Sequence, residues 1–444
     1  MNHSGKRKPR AFSCPALLAL VVGLLAPPPG DAAQRALEDL AARLEGNDAR
    51  MRRDAVEALR EDGSDEAVLI LNSAAADPDT RVRRDVLEAL LSFRRPATSP
   101  GLITFLADEE RDHRREAVRG LVAAHAIEPS PGRGTRAVNW LMRRDEDFVL
   151  DPLRPVGSAT TEALAGRLQD EDDEVRELAA SALGALEAAA EAPALARSAA
   201  SDTDGGVQRA AIASLGEIGT DTAGDFLVGL LETSGREREI IEALGTMAYR
   251  PGGAAILAAY DEDPGSDRGR TALLALARMG HAGARGAFYH ELRSRDGRRR
   301  AHAAEGLGRL DDRALVDGLI RDLLREDDDR VELAFCFALA RLGQTPFVDK
   351  VVLSLADGRL RSFARSYALE LGSSYLNEFI AYLDDPERDV RLELIGILER
   401  IGDSAAVPAL TRLGTDADEA LAVRARAAVR RLAPSDPGEG AGGR

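Results

Sequence analysis

The residues best suited to chemistry are His290-Glu291, with His302 and Glu305 following at i, i+3 on one helical face. Imidazole and carboxylate groups at such spacing are what a divalent metal takes as ligands, but a metal needs three or four of them converging. The remaining histidines past the N-terminal segment, His113, His125 and His281, stand alone. The acidic runs Asp170–Glu174 and Asp261–Asp263 lack the alternating ligands, central glycine and closing glutamate of a calcium loop, so they read as solvated turns. Cys336 lies inside the apolar run FCFALA, where burial raises a thiol pKa, and reads as a small core residue. There is no G-x-S-x-G, no phosphate loop and no dinucleotide fingerprint. Neither catalytic residues nor a metal or cofactor is expected.

A second group suits recognition rather than catalysis. Arg293, Arg295, Arg298, Arg299 and Arg300 surround a turn at Asp296-Gly297, and Tyr249, Tyr260 and Tyr289 fall in nearby segments. Arginine and tyrosine are common interface anchors. With Trp140, the single tryptophan, the candidate partner-binding residues are Tyr249, Tyr260, Tyr289, Arg295, Arg298 and Arg299.

The elements that carry these residues repeat. Between Asp384 and Asp416, Val390, Leu394, Ile397, Leu398 and Ile401 form one helical stripe. Gly402 stops that helix, Asp403-Ser404 cap the next, and Val407, Leu410 and Leu413 form a second, shorter stripe. Neither helix buries its apolar face alone. Comparable first helices open at Met51, Val82, His113, Arg144, Val175, Val207, Arg236, Arg268, Arg299, Val331, Leu360, Val390 and Val423, a mean step of 31 residues. Four residues after each opening residue the side chain is always apolar. Eight after, it is leucine in ten of thirteen cases, a register that chance would not hold. Hydrophobic content is 44% but aromatic content only 4%, so alanine and leucine must fill a core between thin, closely packed helix pairs.

The unit D-x-x-V-R-x-x-A-x-x-A-L-G-x-L-G-D, seen in Asp172–Gly184, Val207–Gly219 and Val390–Asp403, resembles the HEAT-like repeats of the type first named in phycobilin lyases. The resemblance covers roughly residues 34 to 432. It implies an all-α fold, a right-handed α-α superhelical solenoid of the armadillo-like kind with about twelve helix-pair repeats, one of them degenerate. Activities do not carry over with it. HEAT-repeat di-iron hydroxylases use several His-Glu pairs, and here there is one. Nothing beyond the repeat matches bilin attachment. HEAT-like alkylpurine glycosylases grip DNA on a basic face, whereas this chain has a net charge of −16.

The chain divides into residues 1–33, 34–433 and 434–444. Lys6, Lys8 and two arginines precede the apolar run Ala16–Ala26 and the small residues of PPPGDAAQ, the pattern of a secretory signal peptide cleaved near Ala32 or Ala33. Its apolar run is too short for a membrane span, and a retained signal anchor is the alternative. Removing residues 1–33 takes away four bases and Asp31 and leaves a charge of −19, which disfavours nucleic acid and anionic membrane as partners. Residues 34–45 read as the second helix of a half repeat, and Asp418–Leu432 as a cap with Arg424, Arg426, Arg430 and Arg431 outward. Residues 434–444 read as a disordered tail. The degenerate repeat falls at 126–158, where Gly134–Arg144 reads as a helix, Pro152 and Pro155 interrupt the next, and Ser158 is expected as a cap.

One regularity is expected to be structural. Arg52, Arg83, Arg114, Arg176, Arg300, Arg361, Arg391 and Arg424 each follow an opening residue, and Asp48, Asp79, Asp172, Asp204 and Asp389 lie in neighbouring turns. An arginine–aspartate ladder between repeats follows, with acids capping helix N-termini as well. The expected function is a non-catalytic exported scaffold, periplasmic or extracellular, that binds a protein partner along a concave surface built from the second helices. The alternative is an enzyme or enzyme accessory, metal-dependent or lyase-like. Its site would lie on the concave face near the degenerate repeat or His290, marked by clustered polar groups of perturbed pKa.

Overall fold

A computed structural model describes residues 31–127, 149–150, 156–231 and 233–432. They fall into two units, residues 31–125 and 126–432. Both are stacks of short helix hairpins, and the fold is an all-α solenoid.

The first unit opens with α1 (Asp31–Leu44), whose Leu37, Leu40 and Leu44 stripe is half-buried. Two hairpins follow, α2 (Ala49–Asp62) with α3 (Asp65–Ser73) and α4 (Thr80–Phe93) with α5 (Ser99–Phe105), and then α6 (Arg111–His125). The second unit begins with strands β1 (Ala126–Ile127) and β2 (Val149–Leu150), which pair antiparallel with Ala126 opposite Leu150. The expected Gly134–Arg144 helix and Trp140 lie outside the described residues. Ser158 is not a cap but the first residue of α7 (Ser158–Arg167), with Gly157 in the cap position.

From there the hairpins run without interruption. They are α8 (Asp173–Ala185) with α9 (Ala192–Ser201), and α10 (Gly205–Ile218) with α11 (Asp221–Leu230). Next come α12 (Glu237–Thr246) with α13 (Gly253–Glu262), and α14 (Asp267–Met279) with α15 (Arg285–Glu291). Then follow α16 (Gly297–Gly308) with α17 (Val316–Leu323), and α18 (Asp329–Arg341) with α19 (Val348–Leu353). The last are α20 (Arg361–Leu371) with α21 (Leu376–Ala381), α22 (Arg388–Ile401) with α23 (Val407–Leu413), and α24 (Glu419–Leu432). From α2 onward the even-numbered helices are the first helices of the repeats.

The residue four past each opening position is buried in every described repeat but the last: Ala55, Val86, Ala117, Ala179, Ala211, Ile240, Ala272, Ala303, Phe335, Ala364 and Leu394. In the last repeat Val423 is half-exposed while Leu421, Ala425 and Ala428 are buried, so the register there begins at Leu421 rather than Val423. The reason is the cap: Asp418 accepts from the N–H groups of Ala420 and Leu421, which fixes the helix start two residues earlier than sequence spacing suggests.

The ladder forms, with a division of labour between two acids. Arg52 binds Asp77 through Nε at 2.7 Å and Nη2 at 2.9 Å, and Arg176 binds Asp202 at 2.9 and 3.0 Å. Arg83 takes Asp108 and Glu109, and Arg300 takes both oxygens of Glu326 at 2.8 Å. Arg361 and Arg391 bind Asp389 and Asp416. Asp48, Asp79, Asp172 and Asp204 are not rungs; each caps the helix that follows it. Two side chains are needed because a cap oxygen must face the helix N-terminus, while a rung must face the preceding repeat. At Gln208 the arginine is missing and an amide stands in: Nε2 donates to the Asp202 carbonyl at 2.7 Å and Oε1 accepts from Arg236 at 2.6 Å.

Candidate functional site on the first-helix face

The first glycine position of the repeat unit, directly after the buried leucine of the first helix, is a point of close approach. A Cβ on Gly184 would lie 2.4 Å from Ser214 Oγ, one on Gly216 would lie 2.9 Å from Ala243, and one on Gly308 would lie 2.5 Å from the Cα of Ala338. At these points successive first helices therefore pack closely, and every second helix of the second unit except α11 and α19 packs mainly on the first helix that follows it.

The consequence shows at α16, α18 and α20. Tyr367 on α20 donates to Glu305 on α16, two repeats away, and Arg309, the residue that follows α16, binds both oxygens of Glu370 on α20 at 2.8 Å. Arg309 also reaches Glu305 at 3.3 Å. Under this clasp Phe337 of α18 is fully buried, stacked on Tyr367 at 4.3 Å between ring centroids and covered by the Arg309 guanidinium at 4.9 Å. Side chains of alternate repeats can meet only where the first helices converge. This stretch of first helices is thus the inside of a bend, and the expectation that second helices build the concave surface is corrected here.

Burial dictates the charge states of the clasp. It pushes the Tyr367 phenol well above its usual value, helped by Glu305. It pushes His302 below the usual imidazole range, against the pull of Glu305 and with the help of Arg330 and Arg278. Burial also works against the charge on Arg309, but Glu370 and Glu305 outweigh it and the guanidinium is held.

Over α10, α12 and α14 the same face is open. Arg209, Ala213, Arg238, Glu242, Thr246, Arg270 and Arg278 are exposed. Glu217 at the end of α10 is half-buried, and burial, then Glu187, raises its carboxyl to about 7. Its Oε2 finds no hydrogen-bond partner.

The residues singled out in the sequence divide in the same way. Tyr249 is buried against Gly224 and donates to Asp225, and that bond followed by burial raises its phenol to about 12. Tyr260 is buried and donates to Glu291 at 2.6 Å. Arg299 closes on the same carboxylate at 2.7 Å and on the Pro264 carbonyl at 2.8 Å. These three brace the stack rather than offer themselves as surface anchors; an aromatic with a polar tip suits either role, and only packing distinguishes them. Tyr289 at the end of a second helix, Arg295 in the turn after it and Arg298 in the first turn of α16 are exposed. His290 is exposed while its neighbour Glu291 is buried, and Glu305 belongs to the clasp. Among the described residues no three His, Cys, Asp or Glu side chains converge as metal ligands. Burial pushes the Cys336 thiol to about 12. The clasp escapes a reading of the sequence because Glu305 and Tyr367 are 62 residues apart and belong to no motif.

Residues 37–122 and 160–245 match the family model of HEAT repeats. HEAT repeats are thus found in these two stretches of the chain. Similar solved structures include an engineered protein, 18% identical over 89% of this chain and 98% of its own, with a TM-score of 0.35. They also include the complex of CpcE and CpcF of phycocyanin lyase from Nostoc sp. PCC7120, 19% identical over 64% of this chain and 98% of its own, also with a TM-score of 0.35. No curated protein matches the chain.

Proposed function

We propose that this protein is a non-catalytic scaffold, exported from the cytoplasm, that binds a protein partner along its first-helix face at α10, α12 and α14. The observation that carries the reading is the run of exposed polar side chains there, from Arg209 through Arg238 and Glu242 to Arg270, on helices held at fixed spacing by their close contacts. Stacked repeats present such surfaces without a catalytic centre. The export reading rests on the basic and apolar N-terminal pattern. No described helix is long and apolar enough to cross a membrane.

The test is site-specific photocrosslinking in cells that express the full chain, with the crosslinker at Arg238 and, for comparison, at Leu353 on a second helix. A reproducible protein adduct from position 238 and none from 353 is expected; the opposite pattern sinks the reading. Cell fractionation with N-terminal sequencing checks export, and a cytoplasmic chain still carrying residues 1–33 removes that part.

A second reading, an enzyme or enzyme accessory, draws on Glu217, a carboxyl near neutrality on the same open face, where a general acid or base would be poised. Metal content of the purified protein separates the metal-dependent form of this reading from the scaffold: stoichiometric iron or zinc promotes it.

A further inference from the structure

Sequence spacing makes Arg424 a rung of the ladder or an outward cap residue, but the structure makes it neither. With α24 registered on Leu421, the rung position falls to Ala422, and Arg424 turns onto Gly396 of α22. The missing side chain at Gly396 gives it room: a Cβ there would lie 3.0 Å from Arg424 Nη2. Both Nε and Nη2 of Arg424 are shut from solvent and donate to no acceptor. Among the described arginines no other has both of these nitrogens in that state.

The surrounding charges explain why no acceptor is left. The carboxylate whose field reaches Arg424 is Glu393 on α22, itself buried. Arg365 on α20 already binds it, through Nη2 at 2.6 Å and Nε at 2.8 Å. Arg361 stands 4.0 Å from its other oxygen and has Asp389 as well, at 2.6 Å. Three guanidinium groups thus share two carboxylates, and Arg424 is the surplus cation. Burial lowers its pKa, Glu393 opposes, and Arg365 adds to the lowering. A cation taken from water without a counter-charge is unfavourable, and folded proteins pair such groups. Nε and Nη2 are also the parallel donors that receive both oxygens of a planar carboxylate side-on.

We propose that Arg424, with Arg365 beside it, is an anion-receiving site on the first-helix face of the last repeats, and that its ligand is an aspartate or glutamate carboxylate of a protein partner. The protein-borne source rests on the scaffold reading; the site itself rests on the local geometry. No hydrogen bond holds the guanidinium on Gly396, so it swings outward to meet the anion.

The test is thermal unfolding of the full chain at constant ionic strength in succinate, inorganic phosphate or chloride. It compares the unaltered protein, Arg424→Met, and Arg430→Met, which removes an exposed arginine of the same helix. The midpoint should rise saturably with succinate by a few degrees in the unaltered protein and in Arg430→Met, and the rise should vanish in Arg424→Met. A response to phosphate without one to succinate overturns the carboxylate assignment. No saturable response, or an equal one in Arg424→Met, overturns the site and leaves the crosslinking result at Arg238 untouched. In chloride, Arg424→Met should melt at or above the unaltered protein, because it removes a charge with no acceptor. A large drop would mean that the fold itself pairs Arg424, and would also overturn the proposal.

Discussion

The first-helix face is built twice from one plan, with opposite results. In α10, α12 and α14 the residues two before the buried leucine are Ala213, Glu242 and Leu274, and none is buried. In α16 and α18 the same position holds Glu305 and Phe337, and both are buried. The leucines beneath, Leu215, Leu244, Leu276, Leu307 and Leu339, are fully buried throughout. The core is therefore uniform, and the difference lies in what reaches across the bend. Arg309 meets Glu370 and Tyr367 meets Glu305, and together they close the face over Phe337. A repeat fixes where side chains start, whereas length and complementarity decide whether alternate repeats join.

The largest effect checks that the comparison concerns only the surface. Leu215→Ala beneath the open stretch and Leu339→Ala beneath the closed one should each destabilise by about 2–5 kcal/mol, the range for a fully buried leucine. Urea unfolding with hydrogen exchange to localise the loss measures both. A cost at one site and none at the other would mean that the two stretches differ in their cores.

Breaking the clasp should separate the stretches. Arg309→Met leaves Glu305 and Glu370 without their shared cation and should cost roughly 2–3 kcal/mol, below the range for fully buried pairs because Arg309 keeps some exposure. Arg238→Met on the open stretch should stay within about 0.5 kcal/mol. Equal costs would remove the distinction between open and closed.

The two stretches should also answer pH in opposite senses. The Glu217 carboxyl titrates higher folded than unfolded, so the folded state holds more protons. Its contribution is present below about pH 4.5 and is lost as pH rises toward about 7. Glu217→Gln should therefore stabilise above pH 7, by about 1–2 kcal/mol after allowing for partial exposure. His302 titrates lower folded than unfolded, so its neutral form favours the fold above about pH 6.5, and stability falls on acidification below that. Unfolding free energies at pH 5 and pH 8 for Glu217→Gln and His302→Gln should shift with opposite sign. A shared sign would show that another group governs the pH response.

The smallest effect sharpens the account of the clasp. Tyr367→Phe removes one buried donor but leaves Glu305 with Arg309, and should cost about 1 kcal/mol. A loss as large as that of Arg309→Met would make the phenol the principal link.

Much of the fold is legible in the amino-acid sequence. The period, the buried positions from Ala55 to Leu394 and the arginine ladder follow from local spacing, because a helix places residues four apart on one face whatever surrounds it. The role of a tyrosine or arginine is not legible from residue type: Tyr249, Tyr260 and Arg299 look like surface anchors, yet each is bonded within the stack. The position of Arg424 depends on a cap two residues away from the expected register.

Residue order and spacing were enough to determine that this chain stacks helix hairpins of about 31 residues, that alanine and leucine fill the core, and that arginines tie neighbouring repeats. The packing of the folded chain decided which helix row is clasped shut across two repeats, where that happens, and that Arg424, among the described arginines, keeps both Nε and Nη2 enclosed without an acceptor. The physical reason is distance along the chain: periodicity encodes contacts within a repeat and to the next, while bonds across two repeats depend on how closely the intervening backbones approach.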